Sequence, residues 1–290
     1  MRTYFDCIPC FIRQMLDSVR LITDDERIQE QVMRGVLRSA SKMDLRQSPP
    51  AMAQKMHRMI RKLTGVHDPY LQLKNRFNKM ALEMYPELRE HIAASADPLE
   101  TAVRLAIAGN IVDLGVKTGL TESEIEKTIA QSLTDPLDKE ALKEFRNATN
   151  QAKDILYLGD NAGEIVFDRL LIEQLPTENI TFVVKADPVI NDATIEDAQI
   201  VGLTDIVSVI DNGSDAPGTI LESCSQDFQR RFNKADLVIA KGQGIYESLR
   251  NVNKSIFFIL RAKCPVIARD LRCEVGSMVL VKNENGICNE

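Results

Sequence analysis

The sequence predicts an α/β protein in which a helical N-terminal part precedes a mostly parallel sheet that helices cover on both faces. Before residue 150, apolar residues recur at helical spacing and runs of β-branched residues are almost absent. After residue 150, short apolar runs alternate with helical stretches, which is typical of βαβ units and a parallel sheet. We therefore expect a helical domain over residues 1–150 and an α/β domain over residues 151–290.

The helices of the first part are predicted from apolar periodicity and from residues that start or stop a helix. Ser48 followed by two prolines marks a start, Gly65 marks an end, and Asp97-Pro98 opens the next helix. The predicted helices cover Ile8–Leu21, Asp25–Ser41, Pro50–Leu63, Tyr70–Met84, Leu99–Leu114, Glu122–Gln131 and Leu137–Thr149.

The strands of the second part are predicted from runs that are apolar throughout. Such runs are expected where helices cover both faces of a sheet, because neither side of the strand then meets water. The predicted strands cover Ile155–Gly159, Ile180–Val184, Ile206–Ile210, Asp236–Ala240, Ser255–Leu260, Cys264–Ile267 and Met278–Val281.

Composition excludes several classes of protein. The chain has 290 residues, is 44% hydrophobic and 27% charged, and carries a net charge of -6, all ordinary for a globular protein. No long basic run indicates a nucleic-acid surface, and no apolar run is long enough to span a bilayer. The N-terminal residues lack the apolar core of a signal peptide, so we expect a cytoplasmic location. The sequence does not indicate an oligomeric state.

The end of the first predicted strand carries two oxygen-bearing side chains. The run Ile155–Gly159 leads directly into Asp160 and Asn161, and Ala-Gly-Glu164 then opens a helix. Ligands bind outside the carboxyl ends of strands in open α/β sheets, and carboxylate and amide oxygens suit Mg²⁺ or Mn²⁺. The alternative is that Asp160 is an ordinary helix cap before a tight turn.

The end of the next strand carries a further carboxylate. Ile180–Val184 leads into Lys185, and the loop continues to Asn191 and Asp192 at a predicted helix start. Asp192 would complete a metal site with the donors of the neighbouring strand end, and Lys185 is a candidate contact for a phosphate or a carboxylate. A capping role alone is the alternative for Asp192.

Two glycine-containing strand ends are candidate anion sites. Lys241 follows Asp236–Ala240 and precedes Gly242; lysine binds phosphate as a point charge, and glycine lets a ligand approach closely. A solvated surface lysine is the alternative. The loop over residues 211–219 follows another strand, and its amides could form an anion cradle. An ordinary loop is the alternative for that cradle, whose residues would be Gly213, Ser214, Gly218 and Thr219.

Polar residues in the helical part are further candidates for contact with a ligand. Asn110 and Asp113 are three apart on an apolar helix and share a face. They could reach a ligand or bond to the backbone of a neighbour. His57, His67 and His91 lie on charged stretches and are expected to face solvent, so catalysis by histidine is not predicted.

The Cys7-x-x-Cys10 pair has three open interpretations. It could be half of a metal site, a redox pair, or a pair of inert thiols. Cys264 or Cys273 could complete a metal site in space. A framework of disulfides is not expected in a reducing compartment.

The order and spacing of these motifs resemble the metal-dependent damage-control phosphatases, a family long catalogued as a domain of unknown function. The resemblance covers essentially the whole chain. The Cys7 and Cys10 pair, with Gly109-Asn110, is similar to the subfamily that has an N-terminal Cys-x-x-Cys. The other matching motifs are Gly-Asp-Asn-Ala-Gly-Glu at 159–164, Lys185 through Pro188 to Asn191-Asp192, Asn-Gly-Ser-Asp-Ala-Pro-Gly-Thr at 212–219, and Lys-Gly-Gln-Gly at 241–244.

The resemblance implies a helical part packed on a Rossmann-like, three-layer α/β/α domain. It implies a divalent metal ion (Mn²⁺, Co²⁺, Ni²⁺ or Mg²⁺) held by Asp160, Asn161 and Asp192, with Lys241 on the substrate phosphate. The implied reaction is hydrolysis of small phosphometabolites such as sugar phosphates, often side products or damaged forms. Ile245 stands where the family often has Asn, which removes a polar side chain from that position.

The expected chemistry is hydrolysis of a phosphomonoester assisted by a Lewis acid. Glu164 is expected to support a ligand or to transfer a proton. The sequence leaves open direct attack by water and an aspartyl-phosphate on Asp160. A haloacid-dehalogenase-type phosphatase is disfavoured because its Asp-x-Asp is missing. A methyltransferase that uses S-adenosylmethionine and a non-catalytic metal- or metabolite-binding protein stay as alternatives.

Overall fold

A single sheet organises the part of the chain described by a computed structural model, which covers residues 1–109, 127 and 129–283. Its strands are β1 (Ile155–Leu158), β2 (Ile180–Val184), β3 (Ser208–Asp211), β4 (Leu237–Lys241), β5 (Ile256–Arg261) and β6 (Met278–Lys282). Their order across the sheet is β3-β2-β1-β4-β5-β6. Strands β1 to β5 are parallel, and β6 is antiparallel to β5. The order reverses between β1 and β4, and such a switch point is where α/β sheets bind ligands.

Two of the predicted strands differ from the structure. The strand expected at Ile206–Ile210 begins only at Ser208, because a 3-10 turn over Leu203–Asp205 precedes it. The strand expected at Cys264–Ile267 is wrong, since a helix begins at Pro265. Proline suits the first position of a helix, where its missing N–H costs no hydrogen bond.

The helices before residue 150 follow the predicted pattern with one clear extension. The helix expected at Tyr70–Met84 continues through Pro86, and its added turns bury Leu88 and Ile92 in the core. Most of the helix expected at 122–131 lies outside the described residues. Asn110 and Asp113 lie outside them as well. The observed helices are α1 (Cys7–Ile22), α2 (Glu26–Ala40), α3 (Pro49–Thr64), α4 (Leu71–Ala94), α5 (Pro98–Ala108) and α6 (Lys139–Gln151).

The helices after residue 150 connect the strands. They are α7 (Glu164–Ile172), α8 (Ile195–Ile200), α9 (Gln226–Lys234), α10 (Gln243–Leu249) and α11 (Pro265–Asp270). Short 3-10 turns cover Thr177–Asn179 and Leu221–Ser223.

Helices cover both faces of the sheet and make it the middle of three layers. On one face, α4, α5, α6 and α7 share an apolar core with the strands. On the other face, α9, α10 and α11 pack against the strands around a second core. The helical part therefore supplies much of one layer, and the predicted α/β class with a mostly parallel sheet is confirmed.

Helices α1, α2 and α3 pack around a cluster of their own, which includes Met15, Val36 and Ile60. Helix α3 also contacts α10, so this cluster is joined to the α/β part. None of the helices in the described part of the chain is long and apolar enough to cross a membrane.

Candidate active site

Two strand-to-helix turns meet at the carboxyl edge of the sheet. Asn161, just after β1, and Asp192, in the loop after β2, form an isolated antiparallel bridge. The amide of Ala193 donates to the carbonyl of Asp160 at 2.8 Å and strengthens this link. The backbone thus holds the turns of two neighbouring strands together at the switch point of the sheet.

The oxygen donors predicted from these turns line one cleft of about 210 Å³. Asp160, Asn161 and Asp192 are respectively 8%, 6% and 3% exposed, so their polar groups lie at a largely dry edge of the sheet. Other residues around the cleft are Phe11, Pro49 and Pro50 from the helical part, and Gly218, Gly244 and Lys263 from the α/β part.

The side-chain amide of Asn161 has a fixed orientation. Its Nδ2 donates to Asp160 Oδ2 at 2.9 Å and to Glu164 Oε2 at 2.9 Å. Because two carboxylates accept the two amide protons, the Oδ1 atom is the part of the side chain that can bind a cation. This orientation gives the cleft three side chains that present oxygen.

The electrostatics of the cleft fit a bound cation. Burial raises the pKa of Asp160 well above its usual range, and the carboxylates of Glu164 and Asp192 raise it further, while Lys263 and Lys185 oppose this. Carboxylates crowded away from water are stabilised by positive charge, and hard oxygen donors suit Mg²⁺ or Mn²⁺. Among the described residues, no three His, Cys, Asp or Glu side chains meet in a geometry that could hold a metal. The donors that the cleft offers to a cation are instead two carboxylates and an amide.

Lys185 holds protein groups at the cleft. Its side chain is 2% exposed, and its ammonium donates to the carbonyl of Gly218. The same ammonium lies 3.5 Å from Asp192 Oδ2. Lys185 therefore links the loop after β2 to the loop after β3, and this link accounts for its position at the tip of the strand.

Lys241 departs from its predicted role, because its side chain is sealed inside the protein and does not line the cleft. It is 0% exposed, and its Nζ donates to Ala106 O at 2.8 Å, Glu164 Oε1 at 2.8 Å and Asp168 Oδ1 at 2.5 Å. Three acceptors use all the protons of an ammonium. Burial alone would lower the pKa of Lys241, but the two carboxylates outweigh burial and raise it. The geometry does not support direct contact with a phosphate.

Glu164 connects this buried lysine to the cleft. Its side chain is 0% exposed and accepts from Lys241 on one oxygen and from Asn161 on the other. This arrangement lets Glu164 orient the Asn161 amide, while the role of Asn161 as a metal ligand stays a prediction. Lys241 thus acts on the Asn161 amide through Glu164.

The loop over residues 211–219 does not form the predicted anion cradle. The amides of Gly213, Ser214 and Thr219 donate to side-chain oxygens of the protein at 2.8 or 2.9 Å. These N–H groups are therefore used internally, because turn residues bond to nearby side chains. Of the predicted cradle residues, Gly218 lines the cleft.

Gly242 makes room for Asp160 rather than for a ligand. Its φ is +79°, and a Cβ atom there would lie 1.9 Å from Asp160 Oδ2. Glycine is required both by the backbone conformation and by the close approach of this carboxylate.

Asn78, on α4, is a site residue that the sequence analysis missed. Its side chain is 0% exposed; its Oδ1 accepts from the amide of Gly163 at 2.7 Å, and its Nδ2 donates to Asp197 Oδ1 at 2.8 Å. Asp197 in turn accepts from the amide and hydroxyl of Thr194. One helical side chain therefore ties together the turns after β1 and β2.

Two arginines on α3 hold the loops around the cleft. Arg58 and Arg61 both bind Asp215, and Arg61 also donates to the carbonyl of Pro188 at 2.7 Å. Burial alone would raise the pKa of Asp215, but hydrogen bonds from Arg58 and Gln54 outweigh it and lower the pKa to about 2. The ionised Asp215 anchors its loop to the helical part.

His57 is buried, contrary to the prediction that it faces solvent. It lies four residues after Ala53 and three before Ile60, on the buried stripe of α3. Burial, with a smaller effect of the Arg61 charge, lowers the pKa of His57 to about 4. His67 and His91 are exposed.

The Cys7 and Cys10 side chains lie on α1. Burial raises the pKa of both thiols, and the nearby Cys264 and Glu247 raise it further. Cys264 Sγ accepts from Gln243 Nε2 at 3.6 Å. A metal or structural site at Cys7 and Cys10 stays a prediction.

Lys263 is a cleft residue that the sequence analysis missed. It comes just after β5, at the same edge of the sheet as Asp160. If Cys264–Ile267 formed a strand, as the sequence predicted, Lys263 would lie in a short connection between two strands. Because a helix begins at Pro265 instead, Lys263 lies just beyond the carboxyl end of β5.

The fold and the cleft define an α/β protein with an oxygen-lined cleft at the switch point of its sheet, where such folds bind ligands. Residues 3–279 match the family model for the damage-control phosphatase ARMT1-like domain. The chain belongs to this family, which confirms the resemblance, while the Cys-x-x-Cys subfamily stays a prediction.

Relatives match along nearly their whole length. The chain is 40% identical to the uncharacterized protein MJ0202 of Methanocaldococcus jannaschii, covering 96% of this chain and 94% of that protein. It is 34% identical to the damage-control phosphatase PH1575 of Pyrococcus horikoshii, covering 98% and 99%, and 35% identical to a damage-control phosphatase of Archaeoglobus fulgidus, covering 94% and 96%. The crystal structure of PH1575, a DUF89 family protein, superposes with a TM-score of 0.89 at 33% identity over 98% of this chain and all of that one.

Proposed function

We propose that this protein is a metal-dependent phosphatase that hydrolyses phosphomonoesters of small metabolites. The observation that carries the proposal is the convergence of Asp160, Asn161 and Asp192 on one cleft. Relatives that are named damage-control phosphatases support the reaction class. The metals that suit such donors are Mg²⁺ and Mn²⁺, with Co²⁺ and Ni²⁺ as further candidates.

The residues of the proposed site would have different roles. Asp160, Asn161 and Asp192 would hold the cation, and Glu164 would keep the Asn161 oxygen turned toward it. A divalent cation supplies Lewis-acid stabilisation of the charge that develops on phosphoryl oxygens. Lys185 would hold Asp192 in place while substrate binds and product leaves.

The size and lining of the cleft favour a small polar substrate. Its volume of about 210 Å³ is below the range typical of sites for drug-sized ligands. Phe11 and the two prolines at 49 and 50 offer apolar contacts, while Gln14 offers an amide. Sugar phosphates and related side-product or damaged metabolites fit this description.

Hydrolysis of p-nitrophenyl phosphate and of a panel of sugar phosphates tests the proposal. The wild-type protein is assayed with Mn²⁺, Co²⁺, Ni²⁺ or Mg²⁺, and again with excess chelator. We expect activity that requires metal, and a loss of roughly a thousandfold or more in Asp160→Asn, since the metal contributes several kcal/mol to the transition state.

The matched control is Asp205→Asn, an exposed acid that lines a groove at the amino ends of the strands. This variant should keep wild-type turnover. Activity that survives the chelator, or that is unchanged in Asp160→Asn, would contradict the proposal. Binding of phosphate esters without any turnover would instead indicate a binding protein.

A further inference from the structure

The carboxylate of Asp168 lies inside the protein, behind the cleft. Its side chain is 0% exposed, and it does not line the cleft. Asp168 follows Glu164 by about one turn of α7, so the two carboxylates share a face of this helix. Lys241 Nζ donates to Glu164 Oε1 at 2.8 Å and to Asp168 Oδ1 at 2.5 Å. The ammonium of the lysine is therefore held between two acids of one helix.

Tyr157, on β1, also binds Asp168. Its hydroxyl donates to Asp168 Oδ1 at 2.8 Å, and its fully buried ring stacks on Phe182 with the ring centroids 5.4 Å apart. Burial raises the pKa of Tyr157 well above its usual range, and the Asp168 carboxylate raises it further, so the hydroxyl keeps its proton. Asp168 Oδ1 thus accepts from two buried groups, whereas its Oδ2 has no hydrogen bond within the described part of the chain.

These contacts form a continuous chain of hydrogen bonds that ends at the cleft. Lys241 is fixed by Asp168 and by the carbonyl of Ala106, and it fixes one oxygen of Glu164 in turn. The other oxygen of Glu164 accepts from the Asn161 amide, which lines the cleft. Loss of Asp168 would free the Lys241 ammonium to move, and Glu164 and the Asn161 amide would move with it.

We propose that Asp168 is a positioning residue for the metal site, which sets the orientation of the Asn161 amide through Lys241 and Glu164. The proposal rests on the proposed metal-dependent function. Groups that hydrogen-bond to metal ligands orient them, and loss of such a partner lowers metal affinity or activity roughly 10- to 100-fold. Asp168 lies further along the chain of hydrogen bonds than Glu164, so its loss should have an effect near the lower end of this range.

Titration of the full-length protein with Mn²⁺, followed by electron paramagnetic resonance, tests this assignment. We expect Asp168→Ala to lower Mn²⁺ affinity roughly tenfold and to change the spectrum of the bound ion, because that spectrum reports the geometry of the ligands. Asp168→Asn keeps an oxygen that can accept from Lys241 and Tyr157, and it should recover most of the lost affinity. An Asp168→Asn protein that binds Mn²⁺ as weakly as Asp168→Ala would contradict positioning by this oxygen.

Glu173→Ala is the matched control, because Glu173 also binds one tyrosine and one cation. It directly follows α7, at the end of the helix away from Glu164, and accepts from the Tyr85 hydroxyl at 2.5 Å and from Arg169 at 3.2 Å. This variant should be destabilised yet keep the Mn²⁺ affinity and spectrum of the wild type. Equal losses of affinity in Glu173→Ala and Asp168→Ala would mean that destabilisation alone weakens the site, which overturns the assignment.

Tyr157→Phe removes only a hydroxyl and gives a milder test if Asp168→Ala does not fold. It should lower Mn²⁺ affinity a few-fold, whereas Tyr85→Phe should bind Mn²⁺ as the wild type does. Wild-type affinity in Asp168→Ala, or in Tyr157→Phe where Asp168→Ala does not fold, overturns the assignment and leaves the proposed metal site intact. A wild-type protein that does not bind Mn²⁺ overturns the metal site and the assignment together.

Discussion

Asn161 and Asp192 face each other across an isolated antiparallel bridge, although they belong to turns after different strands. The bridge joins the turn after β1 to the loop after β2 just beyond the carboxyl end of the sheet. Two donors of the candidate metal site are therefore held by the same backbone bridge. A change that loosens either turn should move both donors together.

Removal of Asn78 should loosen this pair of turns from a distance. Asn78→Ala leaves the Gly163 amide and one Asp197 oxygen without their buried partner, so we expect a loss of about 2–3 kcal/mol in the free energy of unfolding. We also expect weaker Mn²⁺ binding. Urea unfolding and Mn²⁺ titration measure the two effects.

The control for this change is Asn179→Ala, near the amino end of β2, where the side chain donates to the Ala152 carbonyl. It should leave Mn²⁺ binding unchanged. An Asn78→Ala protein that is destabilised but binds Mn²⁺ normally would show that α4 only supports the fold.

Gly242→Ala should displace Asp160. The new Cβ would lie 1.9 Å from Asp160 Oδ2, and the φ of +79° adds strain. We expect loss of most metal-dependent activity. Gly276→Ala is the matched control, because its φ of +96° gives a similar strain while no atom lies within 4 Å of the added Cβ. Equal activity in the two variants would mean that Asp160 tolerates displacement.

Lys241→Met should damage the fold as well as the site. It leaves the buried carboxylates of Glu164 and Asp168 without their cation, a change that costs about 3–5 kcal/mol in comparable buried pairs. Chemical denaturation measures the loss, with the exposed Lys234→Met as control. A loss below about 1 kcal/mol, which is ordinary for a surface pair, would show that Lys241 is not a structural cation.

His57 should make stability depend on pH. Its pKa is about 4 in the folded protein against an ordinary 6.5. Between these values the unfolded state binds the proton and the folded state does not, so stability falls as pH falls from about 6.5 to 4. This contribution amounts to about 3 kcal/mol.

Unfolding of wild type and His57→Gln across this pH range tests the effect. The stability difference between the two proteins should shift by that amount in favour of the variant as pH falls. The exposed His91→Gln should track wild type. Parallel curves for wild type and His57→Gln would contradict a buried neutral histidine.

Sequence patterns predicted the sheet and the grouping of Asp160, Asn161 and Asp192 at its edge, because both depend on local signals. Metal binding by these three side chains stays a proposal. Apolar runs mark buried strands, and polar residues just after them mark the edge of the sheet where ligands bind. Asp160, Asn161 and Asp192 were found in this way. The same reasoning wrongly assigned Lys241 to the substrate phosphate. The sequence pattern at the end of a strand is the same whether the lysine there faces a ligand or a buried carboxylate.

The remaining features depend on contacts that are distant in sequence. Asn78 lies on a charged helix, and nothing local indicates that it meets Gly163 and Asp197. Lys263 was not identified as a strand-end residue, because the apolar run that follows it is too short for its pattern to distinguish a strand from a helix. The amides of Gly213 and Ser214 bond to side chains only two residues earlier, whereas the Thr219 amide bonds to Ser248, which is distant in sequence.

Mn²⁺ binding is the measurement that tests the central claim most directly. Electron paramagnetic resonance of free Mn²⁺ during a titration gives affinity without relying on turnover. The account predicts a single site in wild type, with affinity lowered roughly a hundredfold or more in Asp192→Asn and unchanged in Asp205→Asn. Wild-type affinity in Asp192→Asn would contradict the site formed by the Asn161 and Asp192 turns.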